Sequence, residues 1–324
     1  MFRRIATVVT VLASAFVVPA SASAGVDWPD AVAGVTADRY PEGVTWDPTR
    51  QAFLVGSVAT GRIDVVDRAG RARVLVEEAP GVSSLGLHVD AARNRFLVAY
   101  GDIGSGERSS PATASVQSGV AIYNLRTGRL QRRVDLNTAA LNPAGGKHGA
   151  NDLAIDGAGN AYVTDPAADA IYRITPAGHA SVLVRDPRLQ SASIGMNGIV
   201  WDPAGYLLAV KYSSGTLYRI SLRGRITEVG IPQALVGGDG LAFTADRRLI
   251  AVTNKLGAAG NEAVTVLRST DNYRSAQVVT SKAWPFAGPT TMTLTPHGAY
   301  VLSGRIDVLL AGGQSNEFSL HRVH

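Results

Sequence analysis

Glu42, Asn151, Asn197 and Asp239 each open a six-residue segment of one pattern, and each offers a carboxylate or amide oxygen. The segments are EGVTWD from Glu42, LGLHVD from Leu85, NDLAID from Asn151, NGIVWD from Asn197, DGLAFT from Asp239 and TTMTLT from Thr290. Two carboxylates and two amides aimed at one point repel, or stay unsatisfied, when nothing sits between them. A calcium ion resolves this, because it takes roughly six to eight oxygen ligands at about 2.3–2.6 Å. Four protein oxygens would leave positions for water and substrate. No His or Cys occupies the set, which argues against zinc. Magnesium asks for stricter octahedral geometry, and another divalent cation is the remaining alternative. Asn-Gly and Asp-Gly are also common turn dipeptides, so any one of these positions alone reads as a turn. Four at the same repeat position point to a shared site.

The elements that would bring them together are strands. In every segment the third and fifth residues are apolar: Val44/Trp46, Leu87/Val89, Leu153/Ile155, Ile199/Trp201, Leu241/Phe243 and Met292/Leu294. A period of two marks a strand with one buried side. A turn cluster such as DPTRQ, DGAGN or DPAGY follows, then a second apolar strand, and in several units a third (GRIDVVD, AIYRITP, TLYRISL). The units start 43, 66, 46, 42 and 51 residues apart. Six such units predict an all-β fold, a six-bladed β-propeller with four-stranded blades over residues 25–324. A sandwich does not need six equivalent segments, and a β-helix repeats at a shorter period. The last unit ends at FSLHRVH, and the stretch 25–40 could return as its fourth strand and remove the open edge. The innermost strand of each blade lines the axis, so the first residues of the six segments meet at one channel mouth.

Second strands return to that mouth. Their ends are Ser57, Asp165, Lys211, Tyr212, Asn254 and Arg305, and the loop before Asn151 adds Lys147 and His148. Lys211, His148 and Asn254 are the expected substrate contacts. Lys211 also reads as a solvent-reaching strand end, and His148 as an exposed loop histidine or a proton shuttle. His88, inside a strand, reads as structural. Asp239 is the expected catalytic group: it could take a proton from water or attack directly. The polar stretch 102–118 in the second unit reads as a functional lid or as disordered chain.

The 324 residues are 46% apolar and 18% charged, which excludes a disordered or collagen-like chain. There is no Cys, hence no disulfide, thiolate metal site or cysteine nucleophile. The net charge of +5 is scattered, with no nucleic-acid footprint. Arg3 and Arg4 precede the apolar run 5–18, and Ala22-Ser23-Ala24 follows, the order of a secretory signal over residues 1–24. The expectation is a secreted or periplasmic monomer acting on a small molecule, with no nucleic-acid partner and no membrane after signal cleavage. No G-x-S-x-G, H-E-x-x-H or nucleotide loop is present. A calcium-dependent hydrolase of a lactone, ester or phosphotriester is the first reading. The others are a non-catalytic ligand- or protein-binding propeller with a structural calcium, and a metal-assisted isomerase or cyclase of secondary metabolism.

The motifs PEGVTWD, GANDLAIDGAGNAYVTD, MNGIVWDPAGYLLAV and GGDGLAF resemble those of the regucalcin/gluconolactonase-like family, also called the senescence-marker-protein family. That family is related to diisopropylfluorophosphatase and, more distantly, to the paraoxonases and strictosidine synthase. The resemblance implies a six-bladed propeller with calcium held by Glu42, Asn151, Asn197 and Asp239. It also implies a role for Asp239 as nucleophile or general base, and for Asn151 as a contact to substrate or to a metal-bound water. The chain departs from the family pattern in its EGV opening, in LGLHVD, which supplies no donor, and in the long second-unit loop. PEGVTWDP followed by FLVGS is similar to a subgroup described as calcium-dependent phosphotriesterase-like.

Overall fold

Among the described residues, alternating apolar residues punctuated by Asx and Thr turns produce 24 strands, grouped as six four-stranded antiparallel sheets. The computed structural model describes residues 28–35 and 40–324; the expected export signal at 1–24 lies outside them. The sheets are the blades of a six-bladed propeller. Their inner strands are Pro41–Asp47, Ser83–Asp90, Leu153–Ile155, Met196–Asp202, Gly238–Phe243 and Pro289–Thr295. Blades 1 to 5 run from inner to outer strand in chain order. Blade 6 takes its outermost strand, Ala31–Val35, from the other end of the chain, with Val32 opposite Leu320 and Gly34 opposite Phe318. The expected ring closure is therefore present.

In five of the six blades the last residue of the repeat segment makes the turn that follows; in blade 2 Asp90 pairs instead with Arg93 and Arg95. Asp47 Oδ1 accepts from the Thr49 amide at 2.8 Å, Asp156 Oδ1 from Asn160 at 2.8 Å, and Asp202 Oδ1 from Ala204 at 2.7 Å. Thr244 and Thr295 do the same in blades 5 and 6, accepting from Arg248 and His297. These side-chain-to-backbone bonds fix the hairpin register. The core lies between blades: Leu208 and Val210 of blade 4 pack on Leu241, Leu249 and Ala251 of blade 5. Burying a Leu in this way contributes about 1.5–3 kcal/mol relative to leaving it exposed.

Five inner strands shift register at one equivalent place, between Pro41 and Val44, Ser84 and Leu87, Met196 and Ile199, Gly238 and Leu241, and Pro289 and Met292. These bulges contain the first two residues of the repeat segment. A bulge leaves a residue unpaired and re-aims its side chain. In blade 3 the strand begins only at Leu153, so Asn151 and Asp152 precede it. The glycine after the donor serves close approach of the next blade rather than a turn. A Cβ on Gly198 would lie 1.7 Å from the Asp239 carbonyl oxygen, and one on Gly43 would lie 2.0 Å from that of Leu85.

Two loops differ from expectation. The second-blade excursion is an ordered wall. The Asp102 carboxylate accepts from the Gly104 amide, Ser109 and Thr113, and the Arg108 guanidinium caps the carbonyls of Gly81, Ala79 and Thr60. In blade 6 a single helical turn, Ile306–Leu310, stands where no helix was expected; five residues are too few for a helical period to show.

The bulge geometry has a direct test. Gly198→Ala forces a Cβ into backbone and is expected to destabilise the fold by about 1–3 kcal/mol. Gly157→Ala, whose Cβ would meet only a Trp201 ring carbon at 3.5 Å, is expected to be near neutral. Thermal melts of the two variants check this; equal melting points would contradict it.

Candidate active site at the channel mouth

The first residues of the six repeat segments, Glu42, Leu85, Asn151, Asn197, Asp239 and Thr290, all line one cavity of about 340 Å³ at an end of the channel. A second compartment of about 400 Å³ lies on the other side, with Trp46, His88, Asp152, Trp201 and Phe243 in its wall. Glu42 and Asp239 border both. The smaller compartment is the candidate site, because the unpaired amide oxygens and His148 line it alone.

Asn151 Oδ1 and Asn197 Oδ1 are buried without a hydrogen-bond partner. Burial, then the charges of Asp239 and Asp152, hold the Glu42 carboxyl well above the usual carboxylate range. Burial pushes Asp239 up to about 8, against the pull of its Asn254 hydrogen bond and with the help of the Asp152 charge. Glu42 is half-buried by surface area because it opens on the channel, yet protein packs densely around it. Among the described residues no three His, Asp or Glu side chains gather closely enough to hold a metal by themselves. The candidate donor set is mixed, with two carboxylates and two amides. Orphaned oxygens beside carboxylates that cannot all ionise fit a hard divalent cation and little else.

Asp239 is oriented from behind. Asn254 Nδ2 donates to Asp239 Oδ2 at 2.7 Å and to the Pro289 carbonyl at 2.8 Å. Asn254 Oδ1 accepts from the Tyr212 hydroxyl, which itself accepts from the Gly257 amide at 3.0 Å. Tyr212 lines the cavity, whereas Asn254 is fully buried and committed. Asn254 is thus a positioning residue, a correction to its expected role as a substrate contact.

His148 is 4% exposed, not a solvent-facing loop residue. Its Nδ1 lies 3.2 Å from Asp165 Oδ2, while Nε2 has no partner. Asp165 also accepts from the amides of Gly149 and Ala167. His148 lines the cavity and Asp165 stands behind it.

Lys211 is not brought to the site. Its ammonium donates to the Arg188 carbonyl at 3.0 Å on the surface. Successive residues of a strand end point opposite ways, so Tyr212 enters the cavity and Lys211 leaves it. Ser57 caps its own turn through the Thr60 amide, and Arg305 faces Asp307. The residues that face the cavity from these loops lie one or two positions later: Val58, Pro166, Leu256 and Ile306. Lys147 is exposed outside the cavity.

A family profile described as "SMP-30/Gluconolactonase/LRE-like region" matches residues 40–219. The chain belongs to the SMP-30/gluconolactonase/LRE-like family. No curated protein matches the sequence. Among solved structures, the chain is similar to the major allergen Mala s 1 of Malassezia sympodialis, with a TM-score of 0.73 at 19% identity, covering 91% of this chain and 96% of that one. It is also similar to a gluconolactonase of Xanthomonas campestris (TM-score 0.58, 15% identity, 91% and 90% covered). Virginiamycin B lyase of Staphylococcus aureus gives a TM-score of 0.54 at 15% identity, with 90% and 99% covered. At such identities these likenesses carry the fold alone. The SMP-30/gluconolactonase/LRE-like match ends before Asp239, whose place in the site rests on the geometry above.

One member of the charged ring was missed in the sequence. Asp152 holds the segment position where blades 1, 2, 4 and 5 carry Gly43, Gly86, Gly198 and Gly240. Its carboxylate accepts from the Leu153 amide at 2.8 Å and the Ile199 amide at 3.1 Å, tying blade 3 to blade 4. Burial pushes it up to about 7 despite those two donors. His88 borders the far compartment, and burial pushes it down to about 4.

These shifts set a pH dependence. Unfolded, the carboxyls ionise near ~4. Folded without a cation, Asp152 and Asp239 keep their protons up to about 7 and about 8. The folded chain then binds more protons across that window, so the stability of the metal-free protein falls as pH rises through it. A bound divalent ion would replace those protons. The gap in melting temperature between calcium-supplemented and chelator-treated protein is expected to be wider at pH 8 than at pH 5, and to collapse in Glu42→Gln/Asp239→Asn. An equal gap at both pH values would count against the donor set.

Proposed function

We propose that the chain is a calcium-dependent hydrolase of lactones or esters, with phosphotriesters as the related class, acting at the channel mouth. The observation that carries this is the pair of orphaned amide oxygens beside Glu42 and Asp239 on the floor of the cavity. Family membership supports a lactonase-type activity.

Glu42, Asn151, Asn197 and Asp239 would hold the ion. When bound, calcium supplies a Lewis acid for the carbonyl or phosphoryl oxygen. Asp239, with one oxygen pinned by Asn254, presents the other for proton abstraction from water or for direct attack. Hydrolysis forms a bond from the water oxygen to the acyl carbon and breaks the bond from that carbon to the ring or alkoxy oxygen. The water's proton passes to Asp239 and from Asp239 to the leaving oxygen, which restores the carboxylate. Asp165 holds the His148 ring beside the cavity through Nδ1. Tyr212 and Asn254 act through Asp239 by holding its plane. The small-molecule substrate, the monomeric state and export through residues 1–24 belong to the same proposal and rest on the sequence alone.

A lactone and aryl-ester panel tests the reading. Turnover is expected to vanish with a chelator and return with calcium. Asp239→Asn should lower kcat by about 10²–10⁴, and Asn254→Ala by a smaller factor with KM little changed. Full activity of the folded Glu42→Gln/Asp239→Asn protein would overturn it.

A further inference from the structure

We infer that the site takes neutral lactones or esters carrying an alkyl chain, in preference to polyhydroxylated or anionic ones; this deepens the hydrolase reading and rests on it. The inference comes from the wall of the cavity rather than its floor. Val58, Ile103, Ile194, Leu256, Ile306 and Leu310 form much of that wall, contributed by the loops of blades 1, 2, 5 and 6 and the loop entering blade 4.

Most polar side chains around them are already partnered, and Ser115 and Ser193 add only two small hydroxyls to the wall. Ser57 holds the Thr60 turn, Asp102 organises its own loop, Asp165 holds His148, and Asn254 holds Asp239. The Tyr212 hydroxyl is engaged by Asn254 and Gly257. A sugar lactone would bury several hydroxyls against this wall with few partners, a cost that an alkyl chain does not meet.

Charge points the same way. No Lys or Arg lines the cavity, and its floor carries two carboxylates. The nearby cations are directed elsewhere: Lys211 to the Arg188 carbonyl, Arg108 to carbonyls of blades 1 and 2, and Arg305 to Asp307. A substrate carboxylate or phosphate would find no side-chain countercharge.

At the rim, Ile103 is 44% exposed and Leu310 is 49% exposed. Scattered exposed apolar side chains are ordinary. These two border the same opening, one on the ordered blade 2 loop and one on the short blade 6 helix. Their free surface is what an alkyl tail leaving the reacting ring would cover.

The test is kcat/KM in calcium for δ-lactones with methyl to heptyl side chains, beside glucono-δ-lactone and a carboxylated lactone. Binding of the matching lactams, which resist hydrolysis, is measured by calorimetry. The expected result is a rise of roughly threefold per added methylene over the first several carbons. The sugar and carboxylated lactones should fall at least 10²-fold below the heptyl compound. Ile103→Ser and Leu310→Ser should flatten the chain-length slope. A flat or falling slope, or glucono-δ-lactone as the best substrate, overturns the inference and leaves the hydrolase reading standing. Lactam binding that strengthens with chain length, without turnover of any lactone, supports the alkyl preference and removes the hydrolase reading.

Discussion

Buried carboxyl groups without a positive neighbour are the constraint on which this molecule turns. Glu42, Asp152 and Asp239 face one another across the channel, and burial pushes all three above the ordinary carboxylate range. Two amide oxygens join them with nothing to accept from. The fold accepts an apolar residue at the same position, as Leu85 shows in blade 2. Retaining such a ring is intelligible when a cation completes it.

The propeller makes the ring by stacking glycines against neighbouring bulges. Each bulge takes the first residue of a repeat segment out of ladder pairing, and in blades 1, 2, 4 and 5 the following glycine lets the next blade approach closely. The result is a stiff collar whose side-chain directions are set by inter-blade packing. Walls are built separately, from the loops after the second strands. The same collar can therefore serve different substrates by changing residues such as Ile103 or Leu310 that do not bear on blade packing.

Most of the architecture was legible because it is written with a period of two and repeated six times. The hexads, the turns after them and the closing strand near residues 31–35 follow from alternation and from Asx chemistry. Glu42, Asn151, Asn197 and Asp239 were legible by their equivalence, and the structure brings all four to one cavity. Asp152 was hidden by standing one place beyond the donor position, although a charged residue where four other blades carry glycine was a signal. Lys211 and Asn254 were given substrate roles because they end second strands. Strand alternation turns Lys211 outward, and the hydrogen bonds of Asn254 hold it behind Asp239, neither of which a strand boundary reveals. His148 read as an exposed loop histidine because it lies in the loop before Asn151, yet it is buried and paired with Asp165, seventeen residues on.

The central claim is that these oxygens share one ion. A crystal structure of calcium-supplemented protein, with anomalous scattering recorded at the channel, tests it most directly. The account predicts a single peak about 2.3–2.6 Å from oxygens of Glu42, Asn151, Asn197 and Asp239. An empty collar at saturating calcium, or a peak bound elsewhere in the channel without Glu42 and Asp239, would contradict it.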